Sequence, residues 1–255
     1  MFWRKHRYKK PRRRGLLRRL ISIGPWVRWG MASLSLFLLV DSYYLSTIWP
    51  DWSKLAAGTT PRSSFIVRYQ SQQFRKQWPR LRWQPIPIEQ VPKHMQRAVV
   101  VAEDSRFYRH AGFDLIAFKE AMDQNMTAGR FVFGGSTISQ QTVKNLFLSP
   151  SRNPLRKWHE LIMTWGMEKN LSKKRILELY LNIAEFDRGV YGVEAAARHY
   201  WGIPARLLSV TQATELAATL PSPIKNNPRT RTKMFERRVE KILPWVEPGA
   251  GRYAY

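Results

Sequence analysis

A chain of 255 residues, 44% of them hydrophobic, is long enough for one sizeable domain with its own core plus accessory segments. Its formal charge of +25, from 43 Lys+Arg against 18 Asp+Glu, requires an anionic partner or surface: nucleic acid, acidic lipid or a phosphate-bearing substrate. The absence of cysteine excludes disulfides, thiolate catalysis and cysteine-based metal sites.

Residues 1–19 form a basic tail in which Arg4, Lys5, Arg7, Lys9, Lys10, Arg12, Arg13, Arg14, Arg18 and Arg19 occur without an acid. Residues 20–49 read as a membrane-helix region, with no charge from Trp29 through Val40 and apolar character continuing past Asp41 to Trp49. Roughly twenty residues cross a bilayer. A buried core helix would also give this run, because Arg28 and Asp41 bound a charge-free stretch shorter than a full span. The one-sided basic flank and the aromatics at both ends favour a single span, with the tail cytoplasmic and the body outside. No small-x-small cleavage site precedes Pro50, so the expected segment is a retained anchor.

Residues 50–79 are expected to be a connector, broken by Pro61 and Pro79, with a short strand at Ser64–Tyr69. Beyond Pro92 the pattern turns helical, with Met95, Ala98, Val99 and Ala102 on one face. Further helices are predicted at about 114–127, 136–147, 154–170, 172–183, 190–200, 209–219 and 230–242. Few strands are expected, so the body reads as mainly α.

Three segments carry chemistry. In Glu103-Asp104-Ser105-Arg106-Phe107-Tyr108-Arg109-His110-Ala111-Gly112, a carboxylate at a helix C-terminus meets the negative end of the macrodipole beside a second acid, which raises the pKa of one of the pair. A general acid or base is tuned this way, but salt bridges from Arg106 and Arg109 to a helix end would look the same. In Gly134-Gly135-Ser136-Thr137-Ile138-Ser139-Gln140-Gln141-Thr142-Val143-Lys144-Asn145, Thr137 and Gln140 have capping-box spacing, so a helix N-terminus opens here that can receive phosphate, with Lys144 two turns on. In Arg152 followed by Arg156-Lys157-Trp158-His159-Glu160, cations surround one carboxylate, as a seat for a charged leaving group or as surface ion pairs. His159-Glu160 lacks the second histidine of a zinc-protease helix, and Ser222-x-x-Lys225 lacks room for an acyl-serine domain.

In order and combination these segments resemble the peptidoglycan glycosyltransferase family across about residues 80–230, most closely its monofunctional members. The match runs through Glu103-Asp104-x-x-Phe107-x-x-His110-x-Gly112, Gly134-x-Ser136-Thr137-Ile138-x-Gln140-Gln141-x-x-Lys144-Asn145 and Arg156-Lys157-x-x-Glu160. It continues through Lys173-x-x-Ile176-Leu177-Glu178-x-Tyr180-Leu181-Asn182, Arg188-Gly189-x-Tyr191-Gly192-Val193 and Asn227-Pro228. Trp201, Gly135 and His199 depart from the usual pattern without touching a carboxylate or cation of interest.

The resemblance implies a mainly α, lysozyme-like, two-lobed glycosyltransferase domain at 80–230 behind one N-terminal transmembrane helix, with 231–255 as a C-terminal helix and tail. It implies transfer of a polyprenyl-pyrophosphate-linked glycan onto the 4-hydroxyl of lipid II with inversion, in the bacterial cytoplasmic membrane with the catalytic domain outside. Carried over by position, Glu103 is the general base and Glu160 assists; Lys144, Arg152, Arg156 and Lys157 face the pyrophosphate. Ser136, Gln140, Gln141 and Asn145 shape the donor site, and Arg188 holds the cleft wall or substrate phosphates. No cofactor is required by the sequence, although a divalent cation (Mg or Mn) could bridge Glu160 and the pyrophosphate. The expected partners are lipid II, the nascent strand, membrane lipid and other cell-wall synthases, and not nucleic acid. Phe118, Met122, Met126, Phe131, Val132 and Phe133 read equally as a membrane-dipping surface and as core. A lytic muramidase and an inactive membrane scaffold remain the alternatives.

Overall fold

The computed structural model describes residues 24–129, 135–151 and 153–247, so the basic tail, Arg152 and residues 131–133 lie outside the described residues. The chain divides into two compact units, Met1–Trp49 and Pro50–Tyr255. In the first, helix α1 (Pro25–Ile48) starts on a proline at its first turn, where the missing N–H costs nothing. Trp26, Trp29, Leu36 and Leu39 are largely exposed and Asp41 is the one buried residue of this helix. A core helix buries an apolar face; α1 buries none, which removes the core-helix reading. By length and composition it lies in a stretch able to cross a membrane.

The second unit is helical with one small sheet. Its helices are α2 (Trp52–Ala57), α3 (Ser64–Gln73), α4 (Lys93–Glu103), α5 (Leu115–Ala128), α6 (Ile138–Phe147) and α7 (Pro154–Asn170). They continue with α8 (Lys173–Ile183), α9 (Val193–Trp201), α10 (Val210–Thr219) and α11 (Lys233–Val246). Strands β1 (Arg82–Trp83), β2 (Glu185–Asp187) and β3 (Val190–Tyr191) form a sheet in the order β1-β3-β2, with β1 parallel and β2 antiparallel to the central strand. The lysozyme-like helical arrangement expected from the sequence is present.

One expected element is wrong. Ser64–Tyr69 is the start of α3 and not a strand, because the Ser63 side chain accepts the Ile66 amide as an N-cap, and Ile66 and Tyr69, one turn apart, share the buried face. The β-branched pair Ile66-Val67 gave a strand-like local signal that capping and burial override. The helix expected at 190–200 begins only at Val193, since Val190 and Tyr191 are taken by β3.

Two groups of helices meet at the functional end. α4, α10 and α11 pack on one another, and α6 packs on α3, α7 and α8. Several motif residues serve as braces between elements. Asn182 clamps the chain before α4, accepting from the Ile86 amide at 2.8 Å and donating to the Ile86 carbonyl at 2.8 Å. Glu178 accepts the Ile88 amide, and Glu194, beside the matched positions and not one of them, accepts the Ala205 amide. Gly112 has a positive φ of 92°, and a Cβ there would stand 2.8 Å from Thr164 Cγ2, so the loop after α4 can lie on α7 only with glycine.

Candidate active site

Glu103 is the last residue of α4 and Asp104 caps that helix, yet the two carboxylates face different surroundings. Asp104 is buried, and it accepts from His110 Nε2 at 2.9 Å and from the Ile138 amide at 3.0 Å, the first amide of α6. His110 Nδ1 accepts the Gly112 amide, which places the ring proton on Nε2 as the donor to Asp104. Asp104 therefore ties the first motif to the helix of the second. The Thr137–Gln140 capping box forms as expected, and Thr137 Oγ1 also donates to the Gly112 carbonyl at 2.7 Å.

Glu103 is left at the cleft. Gln141 Nε2 donates to its Oε2 at 2.9 Å, and Tyr180 donates in turn to Gln141 Oε1 at 3.2 Å, which sets the amide's direction. Arg238 Nη2, from α11, donates to Oε1 at 3.0 Å. Burial pushes the Glu103 carboxyl above its ordinary value. The Gln141 hydrogen bond and the charges of Arg238 and Lys144 oppose that rise, while Asp104 adds to it. The helix end is salt-bridged by Arg238 and not by the Arg106 that the local sequence offered. Arg106 instead pairs with Asp114 at 2.7 Å and with Glu120.

The cations gather on α6 and α7. Glu160 is buried and receives Arg156 Nη1 at 2.6 Å and Lys157 Nζ, one turn back on the same helix. Lys144 is drawn below the ordinary lysine value by burial. Arg156 and Lys157 push the same way and the carboxylates of Glu160 and Glu103 oppose them. Arg156 Nε is buried without a hydrogen-bond partner among the described residues. Ser136, Gln140, Gln141, Lys144, Arg156, Lys157 and Glu160 line one polar cavity of about 290 Å³. Ser136 also borders the hollow of about 180 Å³ that holds Glu103, and Ser136, Gln140 and Lys157 border an apolar cavity of about 700 Å³ walled by Phe113, Leu115, Phe118, Leu161, Ile162 and Trp165.

The structure thus brings together Glu103, Ser136, Gln140, Gln141, Lys144, Arg156, Lys157 and Glu160. Arg188 lies apart from these three cavities, its guanidinium 5.5 Å from the Trp78 ring beside the sheet. Asn145 is placed by its backbone, which accepts from Ser64 Oγ, and is not among the cavity-lining residues. Both oxygens of Glu160 accept from cations, so a divalent ion there would share the carboxylate with Arg156 and Lys157 against their positive charge. Asp104, His110 and Asp114 approach one another closely, but their ligand atoms hold Ile138, Gly112, Ala117 and Arg106. Sequence reasoning missed Arg238 and gave Tyr180, although it lies in a matched motif, no role; Arg238 reaches Glu103 directly and Tyr180 through Gln141, both only by helix packing.

Phe118, Met122 and Met126 are exposed on α5, together with Leu115 and Ile116, and Trp158 and Trp165 are exposed on α7. Their core-packing reading is removed. A folded monomer seldom leaves so many large apolar side chains on adjoining segments.

The transglycosylase family model matches residues 71–246 of the chain. A relative from Nitrosospira multiformis is 48% identical over 164 residues, covering 64% of this chain and 70% of its own. One from an Azoarcus species is 44% identical over 217 residues, covering 82% and 94%, and one from Dechloromonas aromatica is 40% identical over 204 residues, covering 79% and 86%. All three bear the name biosynthetic peptidoglycan transglycosylase. The match extends beyond 80–230 and takes in α11.

Proposed function

The chain belongs to the transglycosylase family, and from that membership we propose how its cleft polymerises peptidoglycan glycan strands. The carrying observation is the arrangement around Ser136: a largely buried carboxylate on one side, a cation-rich cavity on another, and an apolar cavity sharing their wall. Glu103 takes the proton from the acceptor sugar's 4-hydroxyl as that oxygen attacks the donor's anomeric carbon. Its raised pKa moves it towards the working pH of a general base. The bond from that carbon to the pyrophosphate breaks, and the negative charge develops beside Lys144, Arg156 and Lys157, with Arg152 as a further cation from the sequence. Preorganised donors in a desolvated site stabilise such charge most strongly. The orphan Nε–H of Arg156 is a donor suited to a phosphate oxygen once side chains adjust. Glu160 spaces and orients the two cations bonded to it. The apolar cavity suits the first units of the polyprenyl chain.

This assignment separates the enzyme from a muramidase, whose hydrolytic chemistry has no use for a cation cluster around a leaving pyrophosphate. Incubation of the full chain with lipid II should yield long glycan strands, reduced to short fragments by added muramidase, with release of polyprenyl pyrophosphate. Shortening of preformed strands with no growth from lipid II would overturn it. The apolar helix and the exposed α5–α7 face support chemistry at a membrane surface, and the basic flank before that helix supports its extracytoplasmic side.

A further inference from the structure

We infer that Arg238, on α11 and outside every motif of the cleft, is a positioning residue that orients Glu103 and balances its negative charge within the buried site. The inference rests on the reading of Glu103 as the base. Helix α11 buries Phe235, Val239, Ile242 and Val246 against the body, and Thr232 caps it by accepting the Phe235 amide. Residue 238, one turn beyond Phe235 and next to Val239, falls on the edge of that stripe and is turned inward, while Arg237, Glu240 and Lys241 are exposed. From there Nη2 reaches Glu103 Oε1 at 3.0 Å and the Ala102 carbonyl at 3.3 Å, so one guanidinium grips both the carboxylate and the last turn of its helix.

The Nε–H of Arg238 is buried with no partner among the described residues. A contact selected only for stability would not leave a desolvated donor unsatisfied. The cost is understandable if the guanidinium is held for its effect on Glu103. The groups facing Glu103 are Asp104 at the end of α4, Gln141 and Lys144 on α6, Tyr180 on α8 and Arg238 on α11. Tyr180 is neutral, its hydroxyl pushed well up by burial, and Lys144 is turned towards the pyrophosphate cavity. Arg238 is the cation bonded directly to the base. Without it, burial and Asp104 act against ionisation with only Gln141 and the more distant Lys144 opposing them.

The test is the pH profile of lipid II polymerisation by the full chain, with Arg238→Gln, Arg238→Lys and Glu103→Gln beside wild type. Arg238→Gln should have its acidic limb displaced upward by about one unit, with a loss that approaches tenfold on the acidic side and recovers as pH rises. Arg238→Lys, which keeps the charge, should restore the limb to within a few tenths of a unit. A loss that is uniform across pH, or a lysine variant no better than glutamine, would overturn the inference. If Arg238→Gln fails to fold, the lysine variant decides: activity within about threefold of wild type on an unmoved limb supports the role, and a glutamine-like thermal loss without a functional chain opposes it. Glu103→Gln distinguishes the two levels, since an active Glu103→Gln refutes the base itself, whereas an inactive one with an unshifted Arg238→Gln refutes only this inference.

Discussion

Glu103 and Asp104 stand side by side and do opposite things. Asp104 holds Ile138 and His110, so Asp104→Ala strands two donors in a buried place, at about 1–3 kcal/mol for each left unsatisfied. The thermal midpoint should fall by several degrees and activity with it. An unchanged midpoint would contradict the bracing role. For Glu103 the linkage has the other sign. Its folded pKa lies above the ordinary 4.5, so the folded chain keeps the proton longer than the unfolded one. Its contribution to stability is greatest below that value and declines as pH rises through the window up to the raised pKa. Glu103→Gln has no such decline, so the midpoint of the variant relative to wild type should be more favourable at pH 7 than at pH 4. A gap independent of pH would count against the buried carboxylate. In the cation cavity, Lys144→Ala and Arg156→Ala should each lower turnover at least tenfold, about 1–3 kcal/mol for a charge-assisted contact to the developing pyrophosphate. Normal polymerisation by both would return them to the status of surface cations. The carboxylates and cations stood out as candidates in the sequence, and the ordered resemblance gave them their roles. Arg238 did not stand out, because the 135 residues separating it from Glu103 leave no local pattern to read.

At the level of elements, the capping box of α6 and the one-turn Arg156–Glu160 pair follow from sequence spacing, since both lie within a single helix turn. The identity of α3 does not. Its strand-like pair is overruled by the Ser63 cap and by burial of Ile66 and Tyr69 against Trp78 and Tyr191, contacts that exist only after folding. The extension of α11 to Val246 past Pro244 likewise depends on packing of Ile242 and Val246. Exposed Leu115, Phe118 and Met126 on α5 raise a prediction of their own. Because the chain lacks cysteine, a spin label at Met126→Cys reports on one site. In a bilayer it should be accessible to oxygen and shielded from a polar relaxation agent, as expected of a helix face in the interface. Equal access to the polar agent would leave the face in water.

For the molecule as a whole, charge and hydropathy divide the labour. The basic tail precedes an apolar helix whose side chains remain exposed, and the cationic cavity lies in the body. On the proposed function, the net charge of +25 divides between a membrane-facing tail and a pyrophosphate-binding cavity. A reporter fused after Tyr255 should be active only in an extracytoplasmic compartment; cytoplasmic activity would separate the cleft from its proposed side of the membrane. The central claim, that Glu103 is the base of a strand-forming reaction, is tested most directly by initial rates on lipid II for wild type and Glu103→Gln, with binding of a lipid II-like ligand followed on the same preparations. The predicted result is a loss of about 10²–10⁴-fold in rate with ligand binding retained. A rate within a few-fold of wild type would contradict the account.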